Sequence, residues 1–196
     1  MTESSKYESM KILMLGDPKV DQKIFLTKLT GSEYFSSDSQ KFEGLIDLDS
    51  VKQLKYTITF YKSTLHFSKI VSSFNGAILI FDLQKKNTLE LVTKFLDELA
   101  SNVENPEYIY IIILGDKCED QGEIEVNEDD MRLIEEKCKV KYYNISKEDN
   151  SQSLMKDFLQ QVYNTKIKMV SEKNQKKEER NQKVAPKEKK GSCGCC

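Results

Sequence analysis

The sequence lacks an apolar run that approaches the roughly 20 residues of a membrane-spanning helix. Residues 1–11, MTESSKYESMK, also lack the apolar region of a secretory signal peptide. Cysteine is scarce over most of the chain, where only Cys118 and Cys138 precede a terminal cluster of Cys193, Cys195 and Cys196. This distribution does not match the disulfide framework of a secreted fold. We therefore expect a cytoplasmic protein.

The charge of the chain is divided between an acidic body and a basic tail. From residue 165 to the end, 10 Lys and Arg oppose 4 Glu, a net charge of +6. The preceding residues hold 20 basic and 28 acidic side chains, a net charge of −8. The acidic body argues against nucleic acid as a partner, whereas the basic tail is either simply solvated or meets an anionic membrane surface.

Short apolar runs alternate with helical patterns along the body, and no internal repeat is evident. Strands are predicted over residues 11–15, 45–51, 54–61, 76–83, 108–114 and 140–144, with a polar loop over residues 31–44. Helices are predicted over residues 22–29, 89–99, 127–138 and 154–163, the third with Asn127 as its N-cap. The runs at 76–83 and 108–114 are apolar throughout, which is typical of parallel strands covered on both faces.

This alternation predicts an α/β fold with a three-layer, doubly wound and mostly parallel sheet. We expect a flexible N-terminus over residues 1–9, one domain over residues 10–165, and a tail over residues 166–196. The tail is predicted to be disordered because it is hydrophilic and lacks an apolar period. Ligands of such folds bind at the carboxyl ends of the strands. A bacterial receiver domain has a similar layer order and is the alternative, although its tight acidic cluster is not evident here.

Five stretches lie near the predicted strand ends or at the C-terminus. They read KILMLGDPKV at residues 11–20, NGAILIFDL at 75–83, IILGDKCED at 112–120, NISKED at 144–149 and CGCC at 193–196. In this order they resemble the motifs of a small GTPase of the Ras superfamily, and the first and last are similar to Rab proteins. The resemblance implies a P-loop small GTPase fold, GTP or GDP with Mg²⁺ as the ligand, and a role in vesicle-mediated membrane trafficking.

The phosphate loop of the family reads G-D-S-G-V-G-K-S/T, and the resemblance assigns its positions to residues 16–23. The nucleotide-binding positions are then held by Gly16, Asp17, Lys19, Val20, Asp21, Gln22 and Lys23. Lys19 and Asp21 replace glycines whose N–H groups approach phosphate, and Gln22 replaces the lysine that meets the β- and γ-phosphates. Lys23 replaces the hydroxyl that binds Mg²⁺, so magnesium lacks its usual ligand. The resemblance implies weakened nucleotide binding with Lys19 or Lys23 as substitute contacts; the alternative is a strand–helix turn that only keeps the fold.

The two switch segments of the family also lack their characteristic residues. Alignment on Gly44 puts Phe42 at the position of the threonine that senses Mg²⁺ and the γ-phosphate. No D-x-x-G follows residue 60, and the glutamine that orients water has no counterpart. His66 is the single histidine, and a lone histidine is given no catalytic role. We assign no catalytic residue and expect poor hydrolysis, so enzymatic activity is left open.

The guanine-reading stretch is the best preserved part of the resemblance. In the family, the lysine at Lys117 packs along the base, and an aspartate at the position of Glu119 accepts two hydrogen bonds from the ring. Asp116 replaces an asparagine whose amide ties this stretch to the phosphate loop. Ser146 and Lys147 resemble the end of the S-A-K motif. Weak guanine recognition and a remnant loop without a ligand stay open as alternatives.

The CGCC terminus follows a hydrophilic linker, which suits double prenylation of the Rab type at Cys195 and Cys196, with Cys193 as a further acyl site. Stable anchoring needs two lipid chains, or one chain together with basic charge. The resemblance implies a monomer, peripheral on the cytosolic face of endomembranes, that meets the Rab escort and prenylation machinery. A metal-binding or accidental cysteine cluster is the alternative, although a zinc site needs four well-spread ligands.

Two functions from different classes follow from these features. In the first, the protein is a nucleotide-dependent switch in membrane trafficking that binds effector proteins through its switch face. In the second, it is a pseudo-GTPase, a nucleotide-free and membrane-tethered scaffold for trafficking effectors. Nucleic acid is a partner in neither.

Overall fold

The computed structural model describes residues 8–32, 40–48, 53–61, 71, 73–102, 105–117, 122–146 and 151–184. Within these ranges the strands are β1 (Ser9–Gly16), β2 (Lys41–Asp47), β3 (Gln53–Tyr61), β4 (Gly76–Asp82), β5 (Tyr110–Asp116) and β6 (Lys141–Asn144). The α-helices are α1 (Gln22–Thr30), α2 (Lys86–Asn102), α3 (Glu128–Cys138) and α4 (Ser151–Val184), and a 3₁₀ turn covers Pro106–Tyr108.

The strands form one sheet in the order β2-β3-β1-β4-β5-β6. Only β2 runs antiparallel to its neighbour β3, and the other pairs are parallel. From β1 the chain passes outward to β2 and β3 on one side, and from β4 it passes to β5 and β6 on the other. The strand order therefore reverses between β1 and β4, where ligands of doubly wound sheets bind. The predicted α/β sheet is confirmed.

Two apolar clusters cover the two faces of the sheet. Alternate residues of β1 divide between them, since Ile12 and Met14 face one cluster and Leu13 and Leu15 the other. The first cluster includes buried residues of α1 and α4, and the second those of α2 and Met131 of α3. This division gives three layers, with helices on both faces. No helix in the described ranges is both long and apolar enough to cross a membrane.

Strand β2 corrects the sequence prediction, because it begins at Lys41 inside the predicted polar loop and ends before the predicted strand over residues 45–51 is complete. Gly44 favoured a loop, yet it lies opposite Tyr56 in the antiparallel pairing. A Cβ on Gly44 would lie 2.4 Å from the Tyr56 ring, so glycine makes room for that ring. Phe42 stands beside the same ring, with the centroids 6.1 Å apart, and thus belongs to a strand.

Helix α4 also corrects the prediction, because it continues through Val184 where disorder was predicted from residue 166. Lys166 Nζ donates to the backbone oxygen of Ser9 at 2.9 Å, and the hydroxyl of Tyr108 donates to Glu172. The hydrogen bond to Glu172 is the main cause that raises the pKa of Tyr108, followed by desolvation. Lys, Glu and Gln are good helix formers, so the lost apolar period marks the end of close packing and not the end of the helix.

Candidate functional site

The carboxyl ends of the central parallel strands lie along one edge of the sheet. Gly16 pairs with Ile80 of β4, and Asp82 at the end of β4 pairs with Asp116 at the end of β5. A Cβ on Gly16 would lie 2.4 Å from the Ile80 side chain and 2.8 Å from its backbone oxygen, so only glycine fits this exit. The structure thus brings together the strand exits that the sequence singled out.

Several predicted residues fall outside the described ranges. These are Glu119, Lys147, Cys193, Cys195 and Cys196, together with His66 and Cys118. In the part of the chain that is described, no group of three or more His, Cys, Asp or Glu side chains is arranged to hold a metal ion. The roles assigned to the residues outside the described ranges stay predictions.

Two backbone N–H groups of the loop between β1 and α1 are bonded to oxygens of the same loop. Asp17 Oδ1 accepts the N–H of Lys19 at 2.8 Å, and the Asp17 backbone oxygen accepts the N–H of Val20 at 2.9 Å. Asp21 is the N-cap of α1, and its Oδ1 accepts the N–H of Lys23 at 2.9 Å. A carboxylate of the chain therefore lies at the positive end of the helix, where phosphate would otherwise bind.

Gln22 is buried, with 7% of its surface exposed, at the position that carries the lysine in the family motif. Its Nε2 donates to the backbone oxygen of Tyr61 at 3.0 Å, which ties the start of α1 to the end of β3. Its Oε1 has no hydrogen-bond partner among the described residues. The side chain brings no positive charge to the crevice, so it anchors the helix where the family lysine would meet phosphate.

Asp116 is fully buried at the exit of β5. Its Oδ1 accepts the backbone N–H of Lys117 at 2.9 Å, and its Oδ2 forms an ion pair with Nζ of Lys28. Lys28 lies in the last turn of α1. Lys28 could not be predicted from the sequence, since a pair separated by 88 residues leaves no local signal. The one available clue was the aspartate in place of asparagine, because a buried carboxylate requires a partner.

The exit of β6 lies beside that of β5. The N–H of Ile145 donates to the backbone oxygen of Gly115 at 2.9 Å. Asn144 Oδ1 accepts both the N–H of Ser146 at 3.2 Å and its hydroxyl at 2.6 Å. Ser146 is therefore held next to the strand that carries Asp116, and its role in binding a base stays a prediction.

Asp82 at the exit of β4 organises the turn into α2. Its Oδ1 accepts the N–H of Gln84 at 3.0 Å, and its Oδ2 lies 3.2 Å from Nζ of Lys85. The hydroxyl of Thr88 accepts the Asp82 N–H at 3.0 Å. These bonds satisfy a buried carboxylate locally, so its evident role is to shape the chain.

Comparison with known proteins decides the family. A sequence model described as the Ras family matches residues 60–172, which is more than half of the chain. The chain belongs to the Ras family. This match begins at the end of β3, so it does not include β1, the following loop, α1 or β2.

Curated relatives place the chain more narrowly within the family. Mouse Ras-related protein Rab-39A is 22% identical over 152 residues, which are 71% of this chain and 70% of the relative. Ras-related protein Rab11A of Lotus japonicus is 25% identical over 175 residues, 79% of this chain and 72% of the relative. Ras-related protein Rab-11A of Dictyostelium discoideum is 26% identical over 165 residues, 78% and 75% of the two chains. The predicted Rab-like small GTPase is confirmed.

Replacing Asp21 by Ala in this Rab-like protein is expected to lower the free energy of unfolding by about 1 kcal/mol, because α1 loses its N-cap. Asp21→Asn retains an oxygen that accepts the Lys23 N–H and is expected to lose less. Urea unfolding of the three proteins measures the difference. If Asp21→Ala were as stable as the unchanged protein, the cap would not contribute to folding.

Proposed function

We propose that this Rab-like protein acts in vesicle-mediated membrane trafficking with a guanine-nucleotide site that is weakened at its phosphate end. The observation that carries the proposal is the Asp21 carboxylate, which accepts the Lys23 N–H at the start of α1. That carboxylate holds a donor that would otherwise face phosphate, and its negative charge repels a phosphate group.

The substitutions in the phosphate loop are expected to lower the affinity for a nucleotide substantially. Losing one charge-assisted contact, such as that of the lysine replaced by Gln22, weakens binding by about 1.5–3 kcal/mol. Because about 1.4 kcal/mol corresponds to a factor of ten, this single loss lowers affinity about ten- to hundredfold. Repulsion from Asp21 adds to it. The residues at this end do not fit a triphosphate with Mg²⁺, and we derive no hydrolysis step from them.

The base end supports retained, weak recognition of guanine. Asp116, Lys117 and Ser146 lie together at the exits of β5 and β6. Glu119 and Lys147, which the family resemblance assigns to base recognition, follow these residues directly along the chain. GTP or GDP is then held mainly through its base, and Mg²⁺ contributes little.

A nucleotide-independent scaffold is the second candidate, and a specific observation favours it. The carboxylates of the crevice have partners within the chain, Asp21 at one end and Asp116, through its ion pair with Lys28, at the other. Carboxylates that are paired in this way need no ligand to balance their charge. Such a pseudo-GTPase would bind trafficking effectors equally well with and without nucleotide.

Membrane attachment through the C-terminus is the other half of the proposal. Glu172 of α4 accepts a hydrogen bond from Tyr108 of the domain. Beyond Glu172 the helix continues for 12 residues, a length of about 18 Å. This segment carries Lys173, Lys176 and Lys177, and residues 185–194 separate it from Cys195. Basic charge near lipid-modified cysteines strengthens binding to anionic headgroups. Prenylation of Cys195 and Cys196 would then place the monomer on the cytosolic face of endomembranes after it meets the escort and prenylation machinery.

The double variant Asp21→Gly/Gln22→Lys tests the weakened phosphate end. It frees the helix N-terminus and restores a cation, so GDP affinity in the presence of Mg²⁺ is expected to rise about tenfold or more. Isothermal titration calorimetry measures the dissociation constant. Gln53→Lys adds one positive charge on β3, away from the crevice, as Gln22→Lys does within it, and should leave the affinity unchanged. No gain in the double variant, or an equal gain in both proteins, would contradict the proposal.

Replacing both Cys195 and Cys196 by Ser is expected to move the protein from the membrane pellet to the soluble fraction of expressing cells. The reason is that basic charge without lipid anchors too weakly for stable attachment. Cys193→Ser is the matched control and should leave most of the protein in the pellet. Unchanged membrane residence of the double variant would refute lipid anchoring at these positions.

A further inference from the structure

The Lys28–Asp116 ion pair joins two elements that the sheet keeps apart. Helix α1 follows β1, whereas Asp116 ends β5, and β4 lies between these two strands. The Lys28 side chain bridges these two elements, because its Nζ is bonded to Asp116 Oδ2.

The two partners differ in their exposure to solvent. The Asp116 side chain is 1% exposed, and the Lys28 side chain is 39% exposed. Removing Lys28 strands a buried carboxylate, which is strongly unfavourable, whereas removing the carboxylate leaves an amine that water can solvate. The stability of the fold therefore depends on Lys28 more than on a typical surface lysine.

Backbone hydrogen bonds fix the main chain at the end of β5, and the ion pair fixes the position of the Asp116 carboxylate. The N–H of Leu83 donates to the backbone oxygen of Asp116 at 2.9 Å, which holds the strand itself. The N–H of Lys117 donates to Asp116 Oδ1 at 2.9 Å, so the position of this carboxylate sets the direction in which the chain leaves β5. Lys28 holds the other oxygen of the same carboxylate.

We propose that Lys28 is a positioning residue that aligns the base-reading exit of β5, through Asp116, when no ligand is bound. Both oxygens of Asp116 are occupied by Lys117 and Lys28, so this exit is tied to the last turn of α1. The exit of β5 is thereby set in place, while Asp17 separately accepts the N–H groups of Lys19 and Val20 in the loop after β1. The proposal rests on the proposed function only for the class of base, a guanine, because the ion pair needs no ligand.

Amide hydrogen exchange in the nucleotide-free, full-length protein tests this alignment. Lys28→Met is expected to speed exchange of the Lys117 amide at least tenfold, measured by NMR. The amide of Ile113, in the middle of β5, reports any general loss of stability. Lys28→Arg keeps the charge and should restore slow exchange at Lys117. Equal acceleration at Lys117 and Ile113 would indicate a general loss of stability, and no change at Lys117 would show that this exit does not depend on Lys28. Either result would overturn the proposal.

A matched control is available elsewhere in the chain. Lys55 Nζ lies 2.7 Å from Glu43 Oε2 in an ion pair between β2 and β3 that is exposed to solvent. Lys55→Met removes the same kind of side chain without stranding a buried charge, so exchange at Lys117 should stay as in the unchanged protein. Acceleration there equal to that of Lys28→Met would overturn the specific role of Lys28.

A double-mutant cycle keeps the proposal testable if Lys28→Met is too unstable for exchange measurements. Lys28→Met/Asp116→Asn removes the unpaired buried charge, so it is expected to be folded and to have a higher urea midpoint than Lys28→Met alone. A double variant no more stable than Lys28→Met alone would mean that the two side chains do not act as a pair, and would overturn the proposal. If the unchanged protein bound no guanosine in titration, base recognition under the proposed function would fail, but the exchange and cycle results would still decide the role of Lys28.

Discussion

The carboxylate of Asp21 at the start of α1 is the constraint on which the character of the site depends. A helix N-terminus at the exit of β1 exposes N–H groups that attract anions. Here the chain supplies the anion itself, since Asp21 accepts the Lys23 N–H and Asp17 accepts that of Lys19. The rest of the crevice follows the same principle, because Gln22 and the Lys28–Asp116 pair also use partners from within the chain.

Internal pairing has different consequences at the two ends of the crevice. At the phosphate end it competes with a ligand, since the N–H of Lys23 and the charge of Asp21 are committed to the helix cap. At the exit of β5 it orients the backbone without competing with a ligand, because the carboxylate of Asp116 accepts the N–H of Lys117. In this Ras-family frame the exit of β5 is tied to α1 by an ion pair, while the start of α1 is capped by a carboxylate of the chain itself.

Local patterns predicted the central strands β1, β4 and β5, because these are apolar and short, and they predicted α3, where Asn127 and Asp130 form a capping box. They failed where a tertiary contact overrode the local signal. Gly44 reads as a loop residue, but the ring of Tyr56 requires glycine in β2. Sequence motifs located Asp116, whereas its partner Lys28 became visible only when α1 and β5 were placed side by side.

The guanine-nucleotide content of the full-length protein, purified in buffer with Mg²⁺ and released by denaturation for chromatography, tests the central claim most directly. A phosphate end that is capped by Asp21 predicts far less than one mole of GDP or GTP per mole of protein, with the chain folded by circular dichroism. One mole of nucleotide per mole of folded protein would contradict the account.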